Sequence, residues 1–511
     1  MTGDLTPFRD AAMTFARLDI LCRKLESLEH ALSILGADEA THMARGGGEK
    51  RAEAMSVLSG MHHAELTAPH VADLIQAAEA EPLDTDQTAA LREFRRVHAN
   101  ATCLPTAFVE RRMQASMRCE QLWRELRPKG DWAGFAPALE AVVELVREEA
   151  ALRSAATGLG AYDSLMDQYD PGNRTADIDP IFEGLKRFLV DFVPVALDAQ
   201  AARLAQNPRK ETTGPFPIAA QEALGRALMA RVGFDFEHGS LGVSAHPFCG
   251  GVPSDVRMTT RYRTDEFFSS LMGILHETGH AQYEQGLDRD WAHWPLGKAR
   301  GMTLHESQSL FVEMQLARSP GFWRFALPAV SEHLGAETVA RWSEVDVLAH
   351  VNHVERGFIR VDADEVTYPL HVILRYELEK DLLAGALEVR DIPEAWDAKM
   401  HDYLGLSTLD DPSNGPMQDV HWPAGAFGYF PSYTLGAMLA AQLFAALKQD
   451  LPEVDDLVAH GEFEPINTWR RERIWQSGSR LSTPELITAA TGSPLDPRFF
   501  VTHLENRYGP A

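Results

Sequence analysis

The chain has 511 residues, 45% apolar and 24% charged, with a formal net charge of −26. This composition suits a globular protein with a large core, and the negative surface repels phosphate backbones, which argues against nucleic acid as a partner. The four cysteines, Cys22, Cys103, Cys119 and Cys249, form no CxxC and no disulfide framework; the first ten residues carry no basic-apolar signal, and the longest apolar run, 433–447, is broken by Gln442 and too short for a membrane span, so a cytoplasmic protein without membrane contact is expected.

In chain order the pattern is mainly helical. Residues 6–35 and 49–80 read as two amphipathic helices parted by Gly46-Gly47-Gly48, the first striped by Leu18, Leu21, Leu25, Leu28, Leu32 and Leu35. Segments 86–128, 135–156 and 178–206 continue the helical spacing, with loops at Asp170-Pro171-Gly172-Asn173 and at 207–217. Residues 241–248 and 256–263 alternate and read as a β-hairpin turned by Gly250-Gly251 and Pro253. A strand edge there could pair with an extended peptide, or the hairpin could serve packing alone.

Directly after it stands His276-Glu277-Thr278-Gly279-His280. Phe268, Leu271, Met272 and Leu275 place this HExxH string on a helix, with Thr264 and Asp265 as candidate caps and Gly286 as its stop. Histidines at i and i+4 share one face and can reach one metal ion. Glu277, about 100° around the axis, is placed to take a proton from water activated by that ion. The alternative is a pair of core histidines bonded to neighbours, in which case Glu277 has no role.

A catalytic zinc site takes three protein ligands and keeps an open position. Tyr283 and Gly286 stand where the metzincin pattern requires Gly and His, which removes that class. Glu284 shares the face but lies roughly 12 Å from His276 along the axis, at about 1.5 Å per residue. Glu306, near the start of a helix carrying Leu310, Met314 and Ala317, is the better third ligand. Thr303 and Glu306 equally spell a T-x-x-E capping box, and spacing alone leaves the two readings level.

Six strings then coincide: His246-Pro247-Phe248, Asp255-Val256-Arg257-Met258-Thr259, HETGH, His305-Glu306-Ser307-Gln308, Ile359-Arg360-Val361-Asp362-Ala363-Asp364 and Gly415-Pro416-Met417-Gln418-Asp419-Val420-His421-Trp422. In content and order they resemble the Taq-type thermostable metallocarboxypeptidases, HExxH gluzincins. The first 240 residues match in character only.

The resemblance implies a large, mainly α-helical peptidase fold with a deep cleft and a small β-sheet beside the HExxH helix. A single domain would span 1–511, with an N-terminal hairpin (1–80) over the cleft and the catalytic motifs in 240–436. It implies peptide substrates with a free C-terminus, a homodimer, and zinc with cobalt as a substitute. Carried over by position, His276, His280 and Glu306 become ligands and Glu277 the general base. Candidates for the oxyanion donor are Tyr429, Tyr433, His246 and His421. The terminal carboxylate calls for an arginine fork: Arg360 first, Arg257 second, the competing role of Arg360 being an internal pair with Asp362 or Asp364. The alternatives are a helical oligopeptidase that cuts internal bonds and a non-catalytic metal-binding helical protein.

Overall fold

The computed structural model describes residues 14–212, 214–244, 247–335 and 342–510. Helix α1 (Thr14–Thr41) buries Leu18, Cys22 and Leu25 against α2 (Gly48–Leu66) and α3 (Pro69–Ala78). The expected 49–80 helix is two helices, because Pro69 has no N–H to donate to the preceding turn and disfavours helical backbone before it. Pro105 divides 86–128 in the same way, into α4 (Thr85–Thr102) and α5 (Thr106–Leu126). A small core joins Phe15, Leu18, Val71, Leu74 and Phe94 to Trp294, on which Phe15 stacks with ring centroids 4.7 Å apart.

The main core lies further along the chain. Helices α6 (Trp132–Thr157), α7 (Ala161–Met166), α8 (Thr175–Gln206) and α9 (Ile218–Val232) share one hydrophobic core with α10 (Phe268–Gly286) and α11 (Met302–Leu310), and α9 packs directly on α10. The HESQ helix α11 runs into a π-helical stretch, Phe311–Ala317, before α12 (Pro320–Leu334). On its other side α11 packs along the Pro431–Asp450 helix. None of the helices among the described residues is long and apolar enough to cross a membrane.

The sheet beside α10 differs from the expected hairpin. It has three strands, β1 (Gly239–Val243), β2 (Phe248–Val252) and β3 (Asp255–Thr260), in the order β1-β3-β2. β1 runs parallel to β3, with Leu241 opposite Met258, and β2 runs antiparallel to it, with Cys249 opposite Met258. The tight turn falls at Pro253-Ser254, so only β2 and β3 form a hairpin, and Gly250-Gly251 belong to a strand. Gly251 has φ +83°, and a Cβ there would come within 2.2 Å of the Asp255 carbonyl oxygen. Only glycine makes that approach, which is how a Gly-Gly pair can read as a turn and yet lie in a ladder.

Candidate active site

Helix α10 turns Leu271, Ile274, Leu275, Thr278 and Ala281 inward, and this burial sets the rotation of its motif. The caps differ from the expected ones: Asp265 pairs with Arg263, and the free N–H of Ser269 is taken by Glu266 Oε2 at 2.9 Å. His276 and His280 stand one turn apart with ring centroids 5.0 Å apart. Gly279 between them is a contact point. A Cβ there would lie 2.2 Å from the Gln308 carbonyl oxygen and 2.6 Å from Ser309 Cα, so α11 crosses α10 where no side chain intervenes. Gly436 does the same from the Pro431–Asp450 helix, where a Cβ would lie 2.7 Å from Glu306 Cβ. Two glycines thus allow Glu306 to enter between two helices.

The result is a three-residue cluster. One side-chain donor each from His276, His280 and Glu306 lies within 4.8 Å of the others, and His280 Nε2 is 3.4 Å from Glu306 Oε2. The capping box is not formed. Gly301 occupies the N-cap, and Thr303 donates its hydroxyl to Asp170 instead.

The surroundings orient each imidazole. His276 Nδ1 meets Glu313 Oε2 at 2.9 Å, and Glu313 is held by Arg318 at 2.7 Å. Arg318 also meets Glu365, which takes Arg507 at 2.8 Å and His503 at 2.7 Å. His280 Nδ1 meets His305 Nδ1 at 2.6 Å, and His305 Nε2 meets Glu284 Oε1 at 2.8 Å.

The electrostatics suit a cation. Burial pushes His276 down, but the Glu313 hydrogen bond and the charges of Glu306 and Glu313 carry it up to about 10. Burial lowers His280 to about 4, against the pull of Glu306. Burial raises Glu277 to about 7, with the His276 charge opposing. Glu306 ends below the usual carboxylate range because its partners His280 and His276 outweigh its burial. Two neutral-capable imidazoles, one carboxylate and a field that draws positive charge inward match the donor set of a divalent metal.

Arg360 is 7% exposed. Its Nε donates to Asp419 Oδ2 at 2.8 Å, and its guanidinium lies 4.7 Å from the Tyr433 ring centroid and 5.0 Å from that of Phe430. The internal partner is therefore Asp419, not Asp362 or Asp364; Asp364 accepts backbone N–H groups of Glu355, Val366 and Thr367. Asp419 also holds His421 Nδ1, while His421 Nε2 faces the Tyr433 hydroxyl at 3.3 Å. Tyr429 stacks on His421, and the Glu306 charge reaches the hydroxyls of Tyr429, Tyr433 and Tyr368. Arg257 stands apart. It is half-exposed on β3, with Nε and Nη2 both on Asp255 at 2.6 Å. His246 lies outside the described residues.

Sequence reasoning did not single out Glu313, His305, Tyr368 or Asp419. Glu313 falls seven residues after Glu306, near the same helix face, and that spacing was a usable signal. Asp419 and His305 sat inside recognised strings without a role.

A sequence profile described as Carboxypeptidase Taq (M32) metallopeptidase matches residues 17–508. The chain belongs to the M32 family. Thermostable carboxypeptidase 1 of Thermus thermophilus is 38% identical over 498 residues, covering 93% of this chain and 95% of that protein. Carboxypeptidase 1 of Bacillus subtilis is 33% identical over 495 residues, covering 96% of each. Among solved structures, Trypanosoma cruzi metallocarboxypeptidase 1 superposes with a TM-score of 0.94 at 41% identity, covering 97% of this chain and all of the other. The M32 carboxypeptidase of Deinococcus radiodurans R1 gives 0.91 at 32%, covering 97% and 99%. This M32 chain is accordingly a metallocarboxypeptidase, a peptide hydrolase that depends on a metal, with the mainly helical fold and small sheet that its sequence foretold.

Proposed function

We propose that this M32 enzyme releases single C-terminal amino acids with His276, His280 and Glu306 as metal ligands and Glu277 as general base. The observation that carries the reading is the convergence of those three donors within 4.8 Å on the helix face beside buried Glu277. The two-histidine, one-carboxylate set favours zinc, and cobalt accepts the same donors. A bound ion would polarise the scissile carbonyl and lower the pKa of water. Glu277, raised to about 7 by burial, is matched to accept the proton of the attacking water and pass it to the leaving amine.

Arg360 is the anchor for the substrate's terminal carboxylate. Asp419 takes its Nε edge and the Tyr368 hydroxyl shares the guanidinium, and its remaining N–H donors are the ones offered to a substrate carboxylate. Tyr433 supplies the oxyanion contact by turning its one hydroxyl proton from His421 Nε2 to the substrate, and the Tyr429 and His421 rings flank it. Arg257, bidentate on Asp255, is the weaker candidate.

The single-domain organisation over 1–511, the cover of 1–80 over the cleft, the homodimer and the cytoplasmic location belong to the same proposal. Apolar Val109, Met113 and Met117, exposed at successive turns of α5, supply a face for a second copy. The cysteines among the described residues are all unpaired, which fits a reducing compartment.

The test is Glu277→Gln, which removes the proton acceptor and leaves the three donors in place. Metal content should stay at the wild-type level while hydrolysis of a blocked dipeptide nearly vanishes. Activity within about tenfold of wild type, equivalent to about 1.4 kcal/mol of barrier, would remove Glu277 from the role.

A further inference from the structure

HESQ supplies more than Glu306. Its first residue, His305, lies on the opposite edge of the His280 ring. Glu306 Oε2 stands 3.4 Å from His280 Nε2, while His305 Nδ1 stands 2.6 Å from His280 Nδ1. Adjacent residues of one helix thus hold both nitrogens of one imidazole. The far nitrogen of His305, Nε2, lies 2.8 Å from Glu284 Oε1, on the helix that carries His280 itself. His305 is 15% exposed and lies against the ring of buried Tyr283, with centroids 5.4 Å apart.

Hydrogen-bond direction follows from the chemistry of the end group. A carboxylate oxygen accepts, so the contact with Glu284 Oε1 places the ring proton of His305 on Nε2. His305 Nδ1 is then a lone pair and accepts. The proton between the two rings therefore sits on His280 Nδ1, and an ion entering between His280 Nε2 and Glu306 Oε2, 3.4 Å apart, meets the Nε2 lone pair. We propose that the Glu284–His305 pair is a tautomer lock that presents His280 Nε2 to the metal, with His305 and Glu284 as positioning residues. The proposal rests on the assignment of His280 as a ligand. It explains why a glutamate one turn after the HExxH string, too far along the axis to share the ion with His276, is nevertheless turned toward the site.

The test uses full-length metal-free protein and Co²⁺ as the probe, with affinity from chelator competition and geometry from the visible absorption band. His305→Phe keeps the ring and deletes both contacts. It should weaken Co²⁺ binding by roughly 10- to 100-fold, the usual effect of removing a partner behind a metal-bound histidine, and alter the band. His305→Asn restores an acceptor at the Nδ1 position and should regain most of the affinity. Glu284→Met, at a more exposed site, should weaken binding by several-fold without affecting folding. Binding by His305→Phe within about threefold of wild type would overturn the lock. Asn as weak as Phe would reduce His305 to packing, and an unchanged Glu284→Met would cut the pair. Loss of Co²⁺ in Glu306→Ala alongside normal binding in His305→Phe would leave the ligand assignment standing and remove only the lock.

Discussion

Glu306 separates two kinds of explanation at the residue scale. A capping glutamate and a ligand glutamate look alike in T-x-x-E, yet the folded chain gives the N-cap to Gly301 and brings Glu306 to His280. Glu306→Ala should therefore abolish stoichiometric metal binding in elemental analysis, where loss of a cap alone would cost about 1 kcal/mol of stability and leave the metal bound. Arg360 calls for a different measurement, because Asp419 already neutralises it. Arg360→Ala should lower kcat/KM for free-terminus substrates by an amount worth about 2–5 kcal/mol, and lower it little further for C-terminal amides. Comparing acid and amide in both proteins isolates the arginine–carboxylate coupling from general damage. Equal losses on both substrates would make Arg360 a structural partner of Asp419.

Elements meet closely at this site, and glycines decide how closely. With its Cβ position 2.2 Å from a carbonyl oxygen of α11, Gly279→Ala has to push two helices apart. It should lower stability by about 1–3 kcal/mol, as overpacking does, and reduce metal affinity by displacing Glu306. Gly184→Ala, in the middle of α8 with nothing within 4 Å of the new Cβ, should instead stabilise by about 0.4–1 kcal/mol. Thermal unfolding of the two variants distinguishes a glycine needed for contact from one that is merely tolerated. The same contact is secured from behind by Arg470. Its guanidinium lies between Phe311 and Trp475, 4.8 Å from each ring, and donates to Gln282 Oε1 of α10 and to the carbonyl of Gln308 in α11. The glutamine of HESQ is thus a clamp between the helices that carry His280 and Glu306.

Over the whole molecule, a chain of buried and half-buried charges joins the His276–His280–Glu306 cluster to the C-terminal helix, Pro497–Tyr508. His276, Glu313, Arg318 and Glu365 follow one another in contact, and Glu365 meets both Arg507 and His503 of that helix. Burial alone would raise Glu365, but Arg507, His503 and Arg318 bring it from 4.5 to about 2. A carboxyl held lower in the folded than in the unfolded chain stabilises the fold above the unfolded pKa and loses that contribution as the pH falls through the folded one. Stability should accordingly drop between about pH 4.5 and 2, with Glu365 contributing on the order of 3 kcal/mol. In Glu365→Gln the acid slope in that window should flatten, and urea unfolding across it measures the difference. A slope equal to wild type would assign the acid sensitivity to other carboxylates.

The sequence by itself determined the helical class and the helix that carries the HExxH string, because periodicity and motif spacing act over one or two turns, where the backbone fixes relative positions. The placement of His276, Glu277 and His280 on one helix was legible for that reason, and so was the resemblance that covered 246–422. The tertiary structure alone decided whether Glu306 capped or faced His280, since the answer depends on Gly279 and Gly436 allowing three helices to converge. It likewise placed β1 parallel to β3, gave Arg360 to Asp419 across 59 residues of chain, and brought His305 and Glu313 behind the two histidines. Local spacing carries no information about partners that long-range packing selects, and all of these contacts join separate elements.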